Sequence, residues 1–318
     1  ALPFPLHMHP ASEGKCMAGL FPIVATMRCA VQTRAPESFL CICGHAPVPL
    51  LPGGFHARMR CMSKEIEATL VVVHDEPQRI LEKVSALRSL GPYRFSPGVV
   101  LTLEDTYYDT PSRLLSSRGI AVRIRHVGEL HLFCIKHDEH VDVAGTASRD
   151  EMETPWSRQC MDHLLPVLHK LQGGICEVPP ESCSPGECLA CLGLTALQER
   201  ETTRILKDAS LPGGPCSGPV AELALDRVSY AIGSCRILHY EIEVEARTAD
   251  ASTFVREIST LLSSRFGDTL QTWRYNKLTT GFAIERLVSG NSLSLRPGTC
   301  TCLARADYDL IDAVLKHP

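Results

Sequence analysis

A chain of 318 residues with 44% hydrophobic and 21% charged side chains is long enough to bury a sizeable core, and suits one large domain or two small ones. Its formal net charge of -4 excludes a global attraction to nucleic acid or to an anionic membrane, so any bound anion must be held by a local arrangement of bases. The fifteen cysteines are spread along the chain behind no clean signal peptide, and the apolar stretch from Met17 to Val24 is broken by Pro22, far short of the roughly 20 residues that cross a bilayer; a cytoplasmic protein without a membrane segment is expected.

Residues 1–61 are rich in Pro, Gly, His and Cys and hold no period for long, so they read as an irregular extension, with Met62 as a candidate natural start. From Glu65 the chain alternates: Glu65, Glu67 and Thr69 share one face, Ile66, Ala68 and Leu70 the other, which predicts an amphipathic strand. A helix follows over 77–90, with Ile80, Leu81, Val84 and Leu87 as its apolar stripe and Pro77 in its first turn, stopped by Gly91-Pro92. Strands are predicted at 103–109, 119–127, 130–136 and 148–154, joined by short turns as an antiparallel meander. A helix over 157–171, kinked at Pro166, leads into a loop from Gly173 to Gly193. Strands resume at 197–206, 220–230 and 235–247, then a helix over 251–266, and the tail 288–318 ends in a short helix. Glu-x-Glu on a strand followed by a helix occurs near both ends, a weak internal repeat.

Parity gathers the charges onto single strand faces: Glu65/Glu67, Arg123/Arg125, Lys136, Arg149/Glu151/Glu153, Arg200/Arg204, Glu222/Asp226 and Glu241/Glu243/Glu245. For any one strand the simpler account is a face turned to water. The set argues otherwise, because signs segregate by strand and like charges two residues apart repel; a site needing several carboxylates for a cation and several guanidiniums for phosphate requires that clustering. With Lys277 included, five of the seven bases are Arg, whose planar fork matches phosphate. If the apolar faces pack outward against helices, the sheet closes into a barrel with a polar interior.

On these residues the sequence resembles the CYTH, or triphosphate tunnel metalloenzyme, superfamily, which includes inorganic triphosphatases, thiamine triphosphatases and class IV adenylate cyclases. Glu65-Ile66-Glu67 is similar to its opening Glu-x-Glu-x-Lys motif. Tyr107-Tyr108-Asp109-Thr110, followed by Gly119 and Arg123-Ile124-Arg125, resembles its Tyr-Asp-Thr turn and Arg-x-Arg strand; Lys136, Arg149-Asp150-Glu151, Glu222 to Asp226, Glu241-Ile242-Glu243 and Lys277 continue the order. The resemblance implies an α+β fold over 62–287: a closed eight-stranded antiparallel β tunnel barrel with a polar lumen and helices packed outside. The opening motif's Lys is Thr69 here, which removes one lumen charge.

The implied chemistry is metal-dependent hydrolysis of a small-molecule triphosphate or polyphosphate. Glu65, Glu67, Glu241 and Glu243, assisted by Glu151 and Asp226, are expected to hold Mg²⁺ or Mn²⁺. Arg123, Arg125, Lys136, Arg200, Arg204 and Lys277 are expected to bind phosphates, with Glu65, Glu67, Lys136 and Arg149 at the reaction centre and a metal-positioned water attacking in line. The expected effect of replacing Glu65 and Glu67 together by Gln is loss of turnover with little loss of fold. Two rivals stand beside this: a non-catalytic polyphosphate or nucleotide binding module, motivated by Thr69, and cyclase chemistry on ATP. Neither a nucleic acid nor a membrane is an expected partner. Cys176, Cys183, Cys188 and Cys191 offer zinc-ligand types with an irregular first spacing and read as free thiols; His137 and His140 read as solvated. Neither a P-loop nor a Rossmann glycine motif occurs, so side chains must recognise phosphate.

Overall fold

A computed structural model describes residues 50–51, 55–56, 60–172, 182–213, 218–248, 251–293 and 300–317. The expected extension 1–61 falls almost wholly outside them; within it the two-residue strands β1 (Leu50–Leu51) and β2 (Phe55–His56) pair antiparallel. The first long strand, β3 (Arg60–Val72), leads to α1 (Pro77–Ser85), a hairpin of β4 (Ser89–Leu90) and β5 (Tyr93–Phe95), and then β6 (Val99–Asp109), β7 (Ala121–Val127), β8 (Leu130–Val141) and β9 (Thr146–Pro155). Helices α2 (Cys160–Gln172) and α3 (Pro185–Cys191) precede β10 (Thr195–Ser210), β11 (Ala221–Ile232) and β12 (Cys235–Ala246). The chain continues through α4 (Ser252–Phe266), β13 (Leu270–Trp273), α5 (Lys277–Ser289), β14 (Cys300–Cys302) and α6 (Arg305–Lys316).

Eight strands close into an antiparallel barrel in the order β3, β9, β8, β7, β6, β10, β11, β12 and back to β3, the β10–β11 pairing completing the circle. Closure leaves no barrel strand with a free edge. β5 extends the sheet from β10, β13 lies along the end of β3, and β14 runs parallel to β12.

The core lies outside the barrel, where the apolar strand faces meet the helices. Ile80, Leu81 and Val84 of α1 and Val255, Ile258 and Leu262 of α4 pack on Leu223, Leu225, Ile242 and Val244. On another side Leu164 and Leu168 of α2 and Leu189 of α3 cover Val122, Ile124, Phe133 and Ile135. The expected helix 77–90 is shorter than its stripe suggested, because residues 89–95 form the β4–β5 hairpin. Buried Lys207 reaches from β10 to the end of α1, donating to Ser85 O of the last helical turn and to Leu87 O just beyond it at 2.7 Å, so an ammonium meets carbonyls that the helix end leaves unpaired. Pro166 sits inside α2, where it removes one hydrogen bond without ending the helix.

Two helices went unread in the sequence. Within the expected loop 173–193, Ser184-Pro185-Gly186-Glu187 forms a capping box that starts α3. Beyond β13, the Asn276 side chain accepts from Thr279 N at 2.9 Å and caps α5. α5 crosses one end of the barrel: Ala283, Ile284 and Leu287 pack with Trp273, with Tyr308 and Ile311 of α6, and with Val71, Val73, Val228, Tyr230 and Ile237. Gly281 packs against the Gln198 side-chain amide, which a Cβ there would displace. The strand faces that carry Glu65, Asp226 and Glu241 in the middle therefore become apolar where this plug seats.

Candidate active site

With one end plugged, the remaining lumen is a cavity of ≈ 220 Å³ whose wall carries eight Arg or Lys and eight Glu. All six expected phosphate-binding residues line it, as do Glu65, Glu67, Arg149, Glu151 and Glu243. Asp226 and Glu241 are buried and reach it through Lys277, whose ammonium contacts Asp226 Oδ2 at 3.1 Å and the Glu241 and Glu243 carboxylates.

The side chains sort into three groups. On β6, β7 and β10, Asp105 is the hub: Arg125 holds it by a two-bond fork at 2.7 and 3.0 Å, Arg200 approaches at 3.4 Å and Arg123 at 3.6 Å. Arg123 also donates to Glu153 at 2.8 Å, and Arg200 to the Tyr107 hydroxyl. Burial alone would raise the Asp105 pKa; Arg123 and Arg125 overcome it and hold the carboxyl well below its usual range. Neither Asp105 nor Tyr107 was singled out as a site residue from the sequence, although both share the parity of Asp109. Asp109 itself faces the turn, accepting from the backbone N–H of Thr110, Leu115 and Ser116 at 2.7 to 2.9 Å.

On β3, β8 and β9, Arg149 donates to Glu65 at 2.6 Å, Glu67 at 2.7 Å and Glu139 at 2.8 Å, while Lys136 lies 2.9 Å from both Glu65 and Glu151. Glu65 and Glu67 are thus buried ion-pair partners, so replacing both removes two of the three carboxylates that hold Arg149 and costs stability that their lumen position alone did not suggest. Cys134 stands beside them; burial pushes its thiol up to about 12, and it donates to Glu151 at 3.3 Å.

On β10, β11, β12 and α5, Asp226, Glu241 and Glu243 place carboxylate oxygens within 4.8 Å of one another. Arg204 donates to Asp226 at 2.8 Å and to Glu243 at 2.7 Å. Burial and the neighbouring Glu67 push Glu243 up to about 8, and burial draws Lys277 down to about 7, Arg204 and Arg200 adding to the effect against the pull of Asp226. His239 contacts Glu241 through Nε2 at 2.6 Å and the Tyr308 hydroxyl through Nδ1 at 3.0 Å. Burial lowers its pKa to about 3, so the ring is neutral; the proton then belongs on Nε2, donated to Glu241, and Nδ1 accepts from Tyr308.

Cys176 lies outside the described residues, and no group of metal-ligating side chains among the described residues includes Cys183, Cys188 or Cys191. No described helix is long and apolar enough to cross a membrane.

A family model described as CYTH domain matches residues 64–270, more than half of the chain. Among curated proteins none matches. A solved structure from Hippeastrum, described as an adenylyl cyclase candidate with a dominant triphosphatase activity, shares 18% identity over 73% of this chain and 98% of its own, with a TM-score of 0.44. Another from Bacillus halodurans, described as an adenylate cyclase candidate, shares 22% identity over 68% of this chain and 96% of its own, with a TM-score of 0.38.

Proposed function

Because the chain belongs to the CYTH domain family, we propose that it binds a triphosphate compound in the barrel lumen and hydrolyses it with a divalent metal. The observation that carries this reading is that eight bases and eight carboxylates line one and the same cavity. Such a wall is near charge balance, so a polyanion entering alone would leave it strongly negative; a polyanion entering with divalent cations restores the balance. Donors are also left over: Arg123 Nε and Arg200 Nη1 are buried and have no acceptor among the described residues. Phosphate oxygens are the acceptors that suit them.

Arg123, Arg125, Lys136, Arg200, Arg204 and Lys277 would hold the phosphate chain. Asp226, Glu241 and Glu243 fit Mg²⁺ or Mn²⁺, since they offer only hard oxygen donors and already surround one cation, the Lys277 ammonium; Glu65, Glu67 and Glu151 stand on the adjoining strands β3 and β9. When bound, such an ion supplies polarisation of the phosphoryl oxygens. Hydrolysis forms a bond from a water oxygen to the terminal phosphorus as the bond to the bridging oxygen breaks, giving orthophosphate and a diphosphate. The guanidiniums neutralise the charge that develops on that bridging oxygen. Lys277 also lies against Glu243, the register partner of Thr69, and so sets an ammonium beside the position where the opening motif lacks its Lys.

Orthophosphate release from tripolyphosphate, ATP or thiamine triphosphate should require Mg²⁺ or Mn²⁺, and equal turnover in EDTA would overturn the reading. Thr69 favours a second reading, binding without turnover. Calorimetry that detects tripolyphosphate binding to a protein releasing no phosphate with either metal would decide for it.

A further inference from the structure

The lumen changes character at the end away from α5. Leu101 and Leu103 of β6, Val127 of β7, Leu132 of β8 and Leu206 of β10 line the same cavity as the arginines. Leu103, Val127 and Leu132 pack together with Leu101 against them, apart from the three clusters beneath the helices. Parity puts them inside: Val100, next to Leu101 and on the opposite face of β6, is 64% exposed, whereas Leu103 is 2% exposed. The aliphatic wall adjoins the basic one directly, since Leu101 is the register partner of Arg204 and Leu132 that of Arg125.

A bare polyphosphate is charged and hydrated along its whole length, so an aliphatic wall continuous with its cradle gives it nothing and strips water from it. A triphosphate ester differs at one end only, where an organic group can cover those methyl groups while the phosphates remain among the bases. We infer that the substrate is an organic triphosphate whose non-phosphate end presents an apolar aliphatic or aromatic face, and that Leu101, Leu103, Val127, Leu132 and Leu206 form the subsite for it. This rests on the triphosphate reading of the lumen and narrows it against inorganic tripolyphosphate.

The test uses two ligands that cannot be cleaved, bis-methylene tripolyphosphate and its phenyl ester, titrated calorimetrically into the full chain with Mg²⁺. The ester should bind about tenfold more tightly despite its smaller charge. In Leu103→Asn/Leu132→Asn that advantage should vanish while affinity for the unesterified ligand changes less than about twofold. Should the double variant fail to fold, Leu101→Ser, at a half-exposed position, should weaken the ester alone by about threefold. Equal affinity of the two ligands for the unaltered chain, or an equal loss of both in the variants, would mean that the leucines only seal the barrel and would overturn the inference while leaving the triphosphate reading intact. Binding of neither ligand would overturn both.

Discussion

Asp105 shows what a single lumen residue does before any ligand arrives. Three guanidiniums converge on a carboxylate that is almost wholly buried, and its removal leaves them facing one another. Asp105→Asn should therefore cost about 3–5 kcal/mol in urea unfolding. Tripolyphosphate should restore much of that, because its oxygens replace the lost acceptor; the absence of any such rescue would count against the basic cluster as an anion site. The pH dependence has a definite sign. A carboxyl held below its unfolded value of about 3.9 contributes stability above that pH and loses it as pH falls through the folded value. Below about pH 4 the unaltered chain should thus lose stability more steeply than Asp105→Asn, a difference that acid unfolding followed by circular dichroism measures. Glu243 works in the opposite sense: its carboxyl is raised to about 8, and a cation must displace the proton. Mn²⁺ affinity should rise as pH increases from 6 to 8, with proton release seen by titration in buffers of different ionisation enthalpy.

At the scale of elements, α5 and α6 bring the tail end of the chain to the site. α5 supplies Lys277 from its first turn, and its buried face plugs the barrel; Ile284, fully buried there, should cost about 2–5 kcal/mol when replaced by Ala. α6 acts at one remove, through the Tyr308 hydroxyl, the neutral His239 ring and the Glu241 carboxylate. Tyr308→Phe keeps the packing and leaves Nδ1 without its donor, which costs about 1–3 kcal/mol and frees the ring to turn. If that chain positions Glu241, Mn²⁺ affinity measured by electron paramagnetic resonance should fall severalfold in Tyr308→Phe; unchanged affinity would restrict α6 to packing. The apolar pattern of the tail predicts α6, whereas α5 was hard to read in advance. Thr279, Thr280 and Gly281 weaken the helical pattern of α5; only the Asn276 cap marks its start.

For the molecule as a whole, closure of the sheet is what turns dispersed charges into a site. Alternation along Glu65 to Leu70, Ile120 to Arg125 and Tyr240 to Glu245 is a local property, because successive side chains of a strand point to opposite sides whatever surrounds them, and it alone separated a charged face from an apolar one. Hence the amphipathic strands, most of the helices, and the two Glu-x-Glu strands were legible; those two strands prove to be neighbours, β3 beside β12, with Glu67 across from Glu245. Which face turned inward was not a local property. The pairing of β10 with β11 settles it by closing the circle, and only then do Arg204, from one end of the chain's middle third, and Lys277, from its last, meet the same carboxylates. The hub role of Asp105, the plug, and the aliphatic wall also waited on tertiary structure. A Leu on an inward face reads the same in sequence whether it meets a helix, another Leu or a ligand, since period reports direction along a strand and burial depends on what the rest of the chain places opposite.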